Sequence, residues 1–298
     1  MINKKSTLGI VASDPFLLED RISTKWQLVP PIKSNGRETP GAVKNWEFFN
    51  GAVAALLLIS KMSKEIIGTA IIVAPGIAIT ATHNFIDQIE KICNGQVVPY
   101  CLGIREHASD MWKVKSISYD PNDDIAFLSI EAQSNLPKDN RYFKFGITTR
   151  TPSIGENLHI VGFRRDSILR SHKMGISFEG DLFTSNGTVT KVYPDGRDKL
   201  LPYPVIEINC GSLGGMCGGA ALDENGLVIG IISRGLQTED KKGPTYVSWI
   251  IKSLTRSLNV TWPIGLYPSP VTPLSMDNRL FFIDRRDVFN RPNYSLPK

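Results

Sequence analysis

Gly215-Met216-Cys217-Gly218-Gly219-Ala220, followed shortly by Gly230-Ile231-Ile232-Ser233-Arg234-Gly235, are the stretches on which the reading of this chain turns. Glycine adopts backbone angles closed to other residues and lets neighbouring main chain come close, so a reactive side chain set among glycines can occupy a tight turn. Cys217 is therefore a candidate nucleophile. The backbone N–H groups of Gly215 and of Cys217 itself are the candidate oxyanion donors. A glycine-rich loop taken alone reads equally well as a turn around a buried structural thiol.

Acyl transfer also needs a base and a group that orients it. Of the four histidines, His83, His107, His159 and His172, only His83 directly follows a strand-like run ending in small residues, Thr80-Ala81-Thr82-His83. A rigid strand end would hold its imidazole. Asp124 immediately precedes Ile125-Ala126-Phe127-Leu128, where a carboxylate can be held at the mouth of a strand. Asp120 and Asp123 lie in the same stretch around Pro121-Asn122, and a turn carboxylate is the ordinary reading of each. Residue chemistry does not choose among the three.

Most of the chain reads as short apolar runs rich in Ile and Val: 52–60, 66–73, 77–82, 112–119, 125–130, 157–163, 188–193, 205–209, 219–222 and 227–233. Such runs, punctuated by turns such as Pro75-Gly76, predict an all-β barrel or sandwich. One stretch departs from this. In 246–258 the residues Val247, Ile250, Ile251, Leu254 and Leu258 recur at helical spacing, which predicts a C-terminal helix. Residues 1–45, with Pro30, Pro31 and Pro40, read as an N-terminal extension that wraps or trails from the core. Residues 131–153, including Ser134-Asn135-Leu136-Pro137, read as a connection between two groups of strands. Beyond Trp262, Pro263, Pro268, Pro270 and Pro273 exclude a continued helix, leaving a tail with a short strand at 280–283.

Thr80-Ala81-Thr82-His83, then Asp124-Ile125-Ala126, then Gly215-Met216-Cys217-Gly218-Gly219 resemble, in order and context, the trypsin/chymotrypsin superfamily, including HtrA-like bacterial members and picornavirus-type cysteine proteases. The resemblance covers roughly residues 50–258. It implies two antiparallel β-barrels of chymotrypsin type with a C-terminal helix. The first, over 46–135, carries His83 and Asp124; the second, over 136–258, carries Cys217; 1–45 and 259–298 are extensions. Asp124, not Asp123, matches the family's orienting carboxylate. Ser233, Arg234 and Gly235 match the strand that pairs with substrate, Gly211 matches the floor of the specificity pocket with Ser212 beside it, and Gly243-Pro244-Thr245-Tyr246-Val247 resembles the pocket's last strand.

Three departures from the pattern are informative. Cysteine stands where most relatives have serine, so the attacking group would be a thiolate or a thiol activated by His83. Met216 replaces the aspartate that trypsin-type zymogens pair with a new N-terminus, which argues against that activation. Gly211 replaces the aspartate of trypsin, which argues against tryptic specificity; Arg234 is the nearest visible charge and would favour an acidic or polar substrate residue. The resulting expectation is a non-tryptic cysteine endopeptidase with a Cys-His-Asp triad. The alternative is an inactive pseudoprotease acting as a binding or scaffolding module.

Composition narrows the remaining classes. The chain has 298 residues and a formal charge of +5, with no Lys/Arg run interleaved with aromatics, so no nucleic-acid partner is expected. The longest apolar run, Ala52–Ile59, is far short of the roughly 20 residues a bilayer span needs, so no membrane partner is expected. Met1-Ile2-Asn3-Lys4-Lys5 starts like a signal peptide, yet Ser13-Asp14-Pro15 interrupts it. Four cysteines without CxxC or metal-ligand spacing predict no metal and no cofactor, and fit free thiols in a reducing cytoplasm. Cys93 and Cys101 are close enough in sequence for pairing to be the other reading. The expected partner is a protein or peptide substrate, with the two extensions as surfaces for a regulatory partner.

Overall fold

The branched aliphatic runs form strands that close on themselves twice. The computed structural model describes residues 25–31, 37–43, 49–105, 108–134, 141–165, 168–172, 175–236, 243–275 and 282–283. The first barrel runs Val53–Ile59, Lys64–Ala74, Ile77–Ala81, Ile125–Ala132, Ser109–Ser118 and Val98–Ile104, the last strand pairing back onto the first. The second runs Ala220–Leu222, Asn157–Phe163, Leu182–Tyr193, Val205–Ile208, Thr245–Trp249 and Val228–Gly235, closed by pairing of Val228–Gly235 with Ala220–Leu222. All pairings within the two rings are antiparallel. Closure leaves neither ring with an open edge.

Alternate residues of one strand enter different apolar clusters. Val53, Ala55 and Leu57 pack with Ile71, Val73 and Ile79, whereas Ala54 and Leu56 pack with Ala70, Ile72 and Trp112. Burial on both faces is why these strands read as continuous apolar runs. The outer face of the first barrel is covered by the segments that flank the barrels in sequence. Lys25–Leu28 pairs in parallel with Arg141–Lys144. Trp26 lies 5.0 Å from the Tyr142 ring, and Trp112 and Trp262 complete the cluster. Tyr267 donates its hydroxyl to the Pro75 carbonyl at 2.8 Å. A β-carbon at Gly76, φ 72°, would lie 1.7 Å from the Trp262 carbonyl oxygen, so only glycine admits that crossing.

Residues of the N-terminal extension and the C-terminal tail therefore belong to the packed body. Trp26→Ala should lower unfolding free energy by about 2–4 kcal/mol, read as a lower midpoint in chemical denaturation with unchanged slope. An unaltered midpoint would show that the covering strand contributes nothing to the first barrel.

The C-terminal helix is not found as expected. Thr245–Trp249 is a strand, buried throughout and hydrogen-bonded on both sides, and only Ile250–Thr255 coils, as a short 3-10 segment. A strand buried on both faces loses its period-2 alternation, so its apolar residues merged with those of the following turn into a false helical pattern. Phe282–Ile283 pairs in parallel with Ile147–Thr148. Leu280, and Asn135–Pro137 of the expected connection, lie outside the described residues.

Candidate active site

The strands Ile77–Ala81 and Ile125–Ala132 are antiparallel, with Ala81 opposite Ile125. That register continues past the strand ends, where Thr82 N donates to the Asp124 carbonyl at 3.2 Å, and so brings the next residue, His83, to the Asp124 carboxylate across 41 residues of sequence. The Asp124 carboxylate accepts from the His83 backbone N–H at 3.0 Å, and both its oxygens lie 2.9 Å from His83 Nδ1. Asp124 is 5% exposed and His83 44% exposed in their side chains. The carboxylate is thus sheltered while the ring is partly open to solvent.

Ser233 links the Cys217 thiol to this pair, its carbonyl accepting from the thiol at 3.2 Å and its hydroxyl donating to Asp124. Partial burial works to lower the imidazole pKa, but hydrogen bonds to Asp124 and Cys217, and the charges of both, override it and push the value up to about 10. Nδ1 is occupied by the carboxylate, so Nε2 is the nitrogen left for the thiol.

The other acidic candidates face elsewhere. Asp123 accepts from Arg256 Nη2 at 2.8 Å and from the Ser253 hydroxyl, while Asp120 accepts from the Asn122 backbone within its own turn. His159 is buried, with Nδ1 against Asn186 Oδ1. His107 lies outside the described residues. All four cysteines are free thiols, with Cys101 and Cys210 buried and Cys93 exposed. Burial pushes the Cys101 and Cys210 thiols up to about 12, so neither is a nucleophile near neutral pH.

The loop that carries Cys217 is tied to the first barrel by residues that carry no motif. Thr69 N donates to the Cys217 carbonyl at 2.9 Å, Thr69 Oγ1 donates to the Gly215 carbonyl at 2.9 Å, and Asn84 Nδ2 donates to the Cys217 carbonyl at 3.1 Å. The Gly214 carbonyl accepts from Arg165 N at 2.8 Å and the Met216 carbonyl from Gly219 N at 2.9 Å. In a trans peptide the N–H points opposite to the C=O. The N–H groups of Gly215 and Cys217 are thereby turned away from those partners, and neither donates to a backbone carbonyl among the described residues. Gly215 has φ 97°, and a β-carbon there would lie 2.4 Å from Arg165 N. That requirement, not mere flexibility, is what the glycine meets.

At the sequence-predicted pocket, Gly211 N donates to the Glu38 carbonyl at 2.8 Å and the Gly211 carbonyl accepts from Ser185 Oγ at 2.6 Å. Thr245 Oγ1 lies 2.7 Å from the Cys210 carbonyl and 3.1 Å from Ser212 Oγ. A β-carbon at Gly235 would lie 2.1 Å from Ser212 Oγ, so the Ser212 hydroxyl fills the space between the two walls. Arg234 is exposed. Ser233 is 3% exposed and gives its hydroxyl to Asp124 Oδ2 at 2.5 Å, while its carbonyl faces the Cys217 thiol. Among the described residues no cluster of His, Cys, Asp or Glu could hold a metal, and no helix is long and apolar enough to cross a membrane.

Residues 68–231 match the model of the trypsin-like peptidase domain, more than half of the chain. No curated protein matches the sequence. Among solved structures, the chain is similar to a mutant of Rv3671c from M. tuberculosis H37Rv in an inactive form, at 17% identity and a TM-score of 0.43 over 80% of this chain and 91% of that one. It is also similar to the HtrA-type protease AlgW with a tripeptide, at 19% identity and a TM-score of 0.44 over 68% of this chain and 61% of that one. With the family match spanning both His83 and Cys217, the chain belongs to the trypsin-like peptidase domain family.

Proposed function

We propose that the protein is an endopeptidase that cuts peptide bonds through a thioester on Cys217, with His83 as acid and base and Asp124 as the group that orients it. The observation that carries this reading is the imidazole held by both Asp124 oxygens, with Ser233 joining that carboxylate through its hydroxyl and the Cys217 thiol through its carbonyl. Cys217 Sγ gives its proton to His83 and attacks the scissile carbonyl carbon, and the N–H groups of Gly215 and Cys217 take the developing negative charge. His83 gives its proton to the leaving amine as the C–N bond breaks, which leaves the acyl group on sulfur. A water molecule then attacks the thioester with His83 as base, releasing the carboxylic acid and restoring the thiol. The four free thiols fit a reducing compartment such as the cytoplasm, and the substrate is a protein or peptide.

The pocket supports a non-tryptic preference. Gly211 puts no side chain on the floor, the Ser212 and Thr245 hydroxyls occupy the space above it, and Glu38 meets the floor through its backbone with its side chain exposed. No carboxylate stands on the floor itself, so a Lys or Arg side chain would be desolvated there at a cost of several kcal/mol. Small uncharged residues should precede the cut. Digestion of a peptide library should show depletion of Lys and Arg at that position, with Ser212→Gly shifting the profile towards larger apolar residues. A profile dominated by basic residues would overturn this specificity, and cleavage retained by Cys217→Ala would overturn the mechanism.

A further inference from the structure

We infer that Tyr203 is a positioning residue of this site, holding Asp124 through the hydroxyl of Ser233; the inference rests on the assignment of Cys217, His83 and Asp124 as the catalytic set. Tyr203 OH lies 2.9 Å from Ser233 Oγ, which lies 2.5 Å from Asp124 Oδ2. A serine hydroxyl has one hydrogen. Ser233 spends it on the carboxylate, so Tyr203 must be the donor in the outer bond. Burial, with the Asp124 charge adding to it, raises the phenol pKa, so the donor proton is kept. The Asp124 carboxylate then receives the His83 backbone N–H, His83 Nδ1 and Ser233, with the last bond strengthened from behind because donation into a hydroxyl makes it a better donor.

The local backbone is built to deliver that hydroxyl. Pro202 and Pro204 flank Tyr203; Pro204 fixes its own φ and restricts Tyr203 to extended conformations. The Pro204 carbonyl accepts from Trp249 N at 3.0 Å, which anchors the segment to the second barrel. On the other side, Ser233 sits at an irregularity in the pairing between Val228–Gly235 and Thr245–Trp249, where the ladder shifts between Ile232 and Arg234. Such an irregularity re-aims a side chain, and here it turns the Ser233 hydroxyl onto Asp124. The Tyr203 ring packs beside Leu201, Val205 and Tyr246 and borders a cleft of about 630 Å³. Phenylalanine keeps this packing and removes only the donor.

The test is a double-mutant cycle on peptide hydrolysis. Tyr203→Phe should lower kcat roughly five- to tenfold with KM within about twofold, in line with loss of one hydrogen bond. Ser233→Ala should cost more, and Tyr203→Phe should then cost nothing further. The His83 Nδ1 proton, read by NMR without turnover, should move upfield in Tyr203→Phe as its bond to Asp124 weakens. Wild-type kcat in Tyr203→Phe, or an equal additional loss on the Ser233→Ala background, would overturn the inference. A Cys217→Ala protein that still cleaves would instead remove the reading beneath it, whereas an inert Cys217→Ala with an unaffected Tyr203→Phe would sink the role of Tyr203 alone.

Discussion

Cys217→Ala should lower peptide-bond cleavage by about 10⁴-fold or more, and His83→Ala should lower it to the same depth, with the double variant no worse than either. In the proposed mechanism thiol and imidazole act as one unit: without the sulfur there is no acyl acceptor, and without the imidazole neither the thiolate nor the departing amine is served. The Cys217→Ala protein should nevertheless keep its fold, because Thr69 and Asn84 hold position 217 through backbone atoms that alanine retains. The same replacement has a signature in pH. His83 is raised to about 10 partly by the thiol's hydrogen bond and charge, so its imidazole should titrate at lower pH in Cys217→Ala. The sign follows from the raised value: the folded state favours the charged ring, a stabilisation fully present below the unfolded pKa of about 6.5 and lost as pH rises towards 10. NMR titration of the His83 ring in the two proteins checks this, and identical curves would show that the thiol does not meet the imidazole.

Asp124→Asn should lower kcat/KM by on the order of 10²–10³, less than loss of the nucleophile. An asparagine amide oriented with its nitrogen towards His83 Nδ1 would favour the wrong tautomer, placing the ring's proton on Nε2 and leaving no base for the thiol. The penalty stays below that of losing Cys217 because a thiol is intrinsically more nucleophilic than a hydroxyl and leans less on its base. Asp123→Asn provides the contrast. Its carboxylate serves Arg256 and Ser253, so that variant should lose stability more than catalytic efficiency. If Asp123→Asn proved the more damaging to kcat/KM at equal folded fraction, the orientation attributed to Asp124 would be wrong.

The candidate catalytic residues were legible because each announces itself locally. Cys217 has its glycines, His83 its strand of small residues, and Asp124 the apolar run it precedes. The barrel strands with uninterrupted Ile, Val and Leu were legible for the same reason. Val98–Ile104 was not, because Pro99 and Gly103 give it the composition of a loop. Gly103 is there for close packing: a β-carbon would lie 2.4 Å from the Gly51 carbonyl oxygen. The first half of Leu182–Tyr193 was hidden by its polar Thr184, Ser185 and Asn186, whose side chains are spent on local partners such as the Ile160 and Gly211 carbonyls.

Beyond the strands, the supporting contacts left no trace in sequence. Thr69 reaches Gly215 across 146 positions, and Ser233, singled out for the strand it stands on, reaches Asp124 across 109. A threonine or serine within an apolar run carries no mark of such a partner until the barrels are assembled. Ser212 was read from the sequence as a pocket residue, but its close approach to Gly235 was not legible, since it depends on how the two segments meet.

The most direct test of the central claim is intact-protein mass spectrometry on enzyme quenched with acid during turnover of an activated ester or peptide substrate. The account predicts a mass increase equal to the acyl group, mapped to Cys217, removed by hydroxylamine and absent from Cys217→Ala. Turnover by wild-type protein without that adduct, together with undiminished turnover by Cys217→Ala, would contradict it.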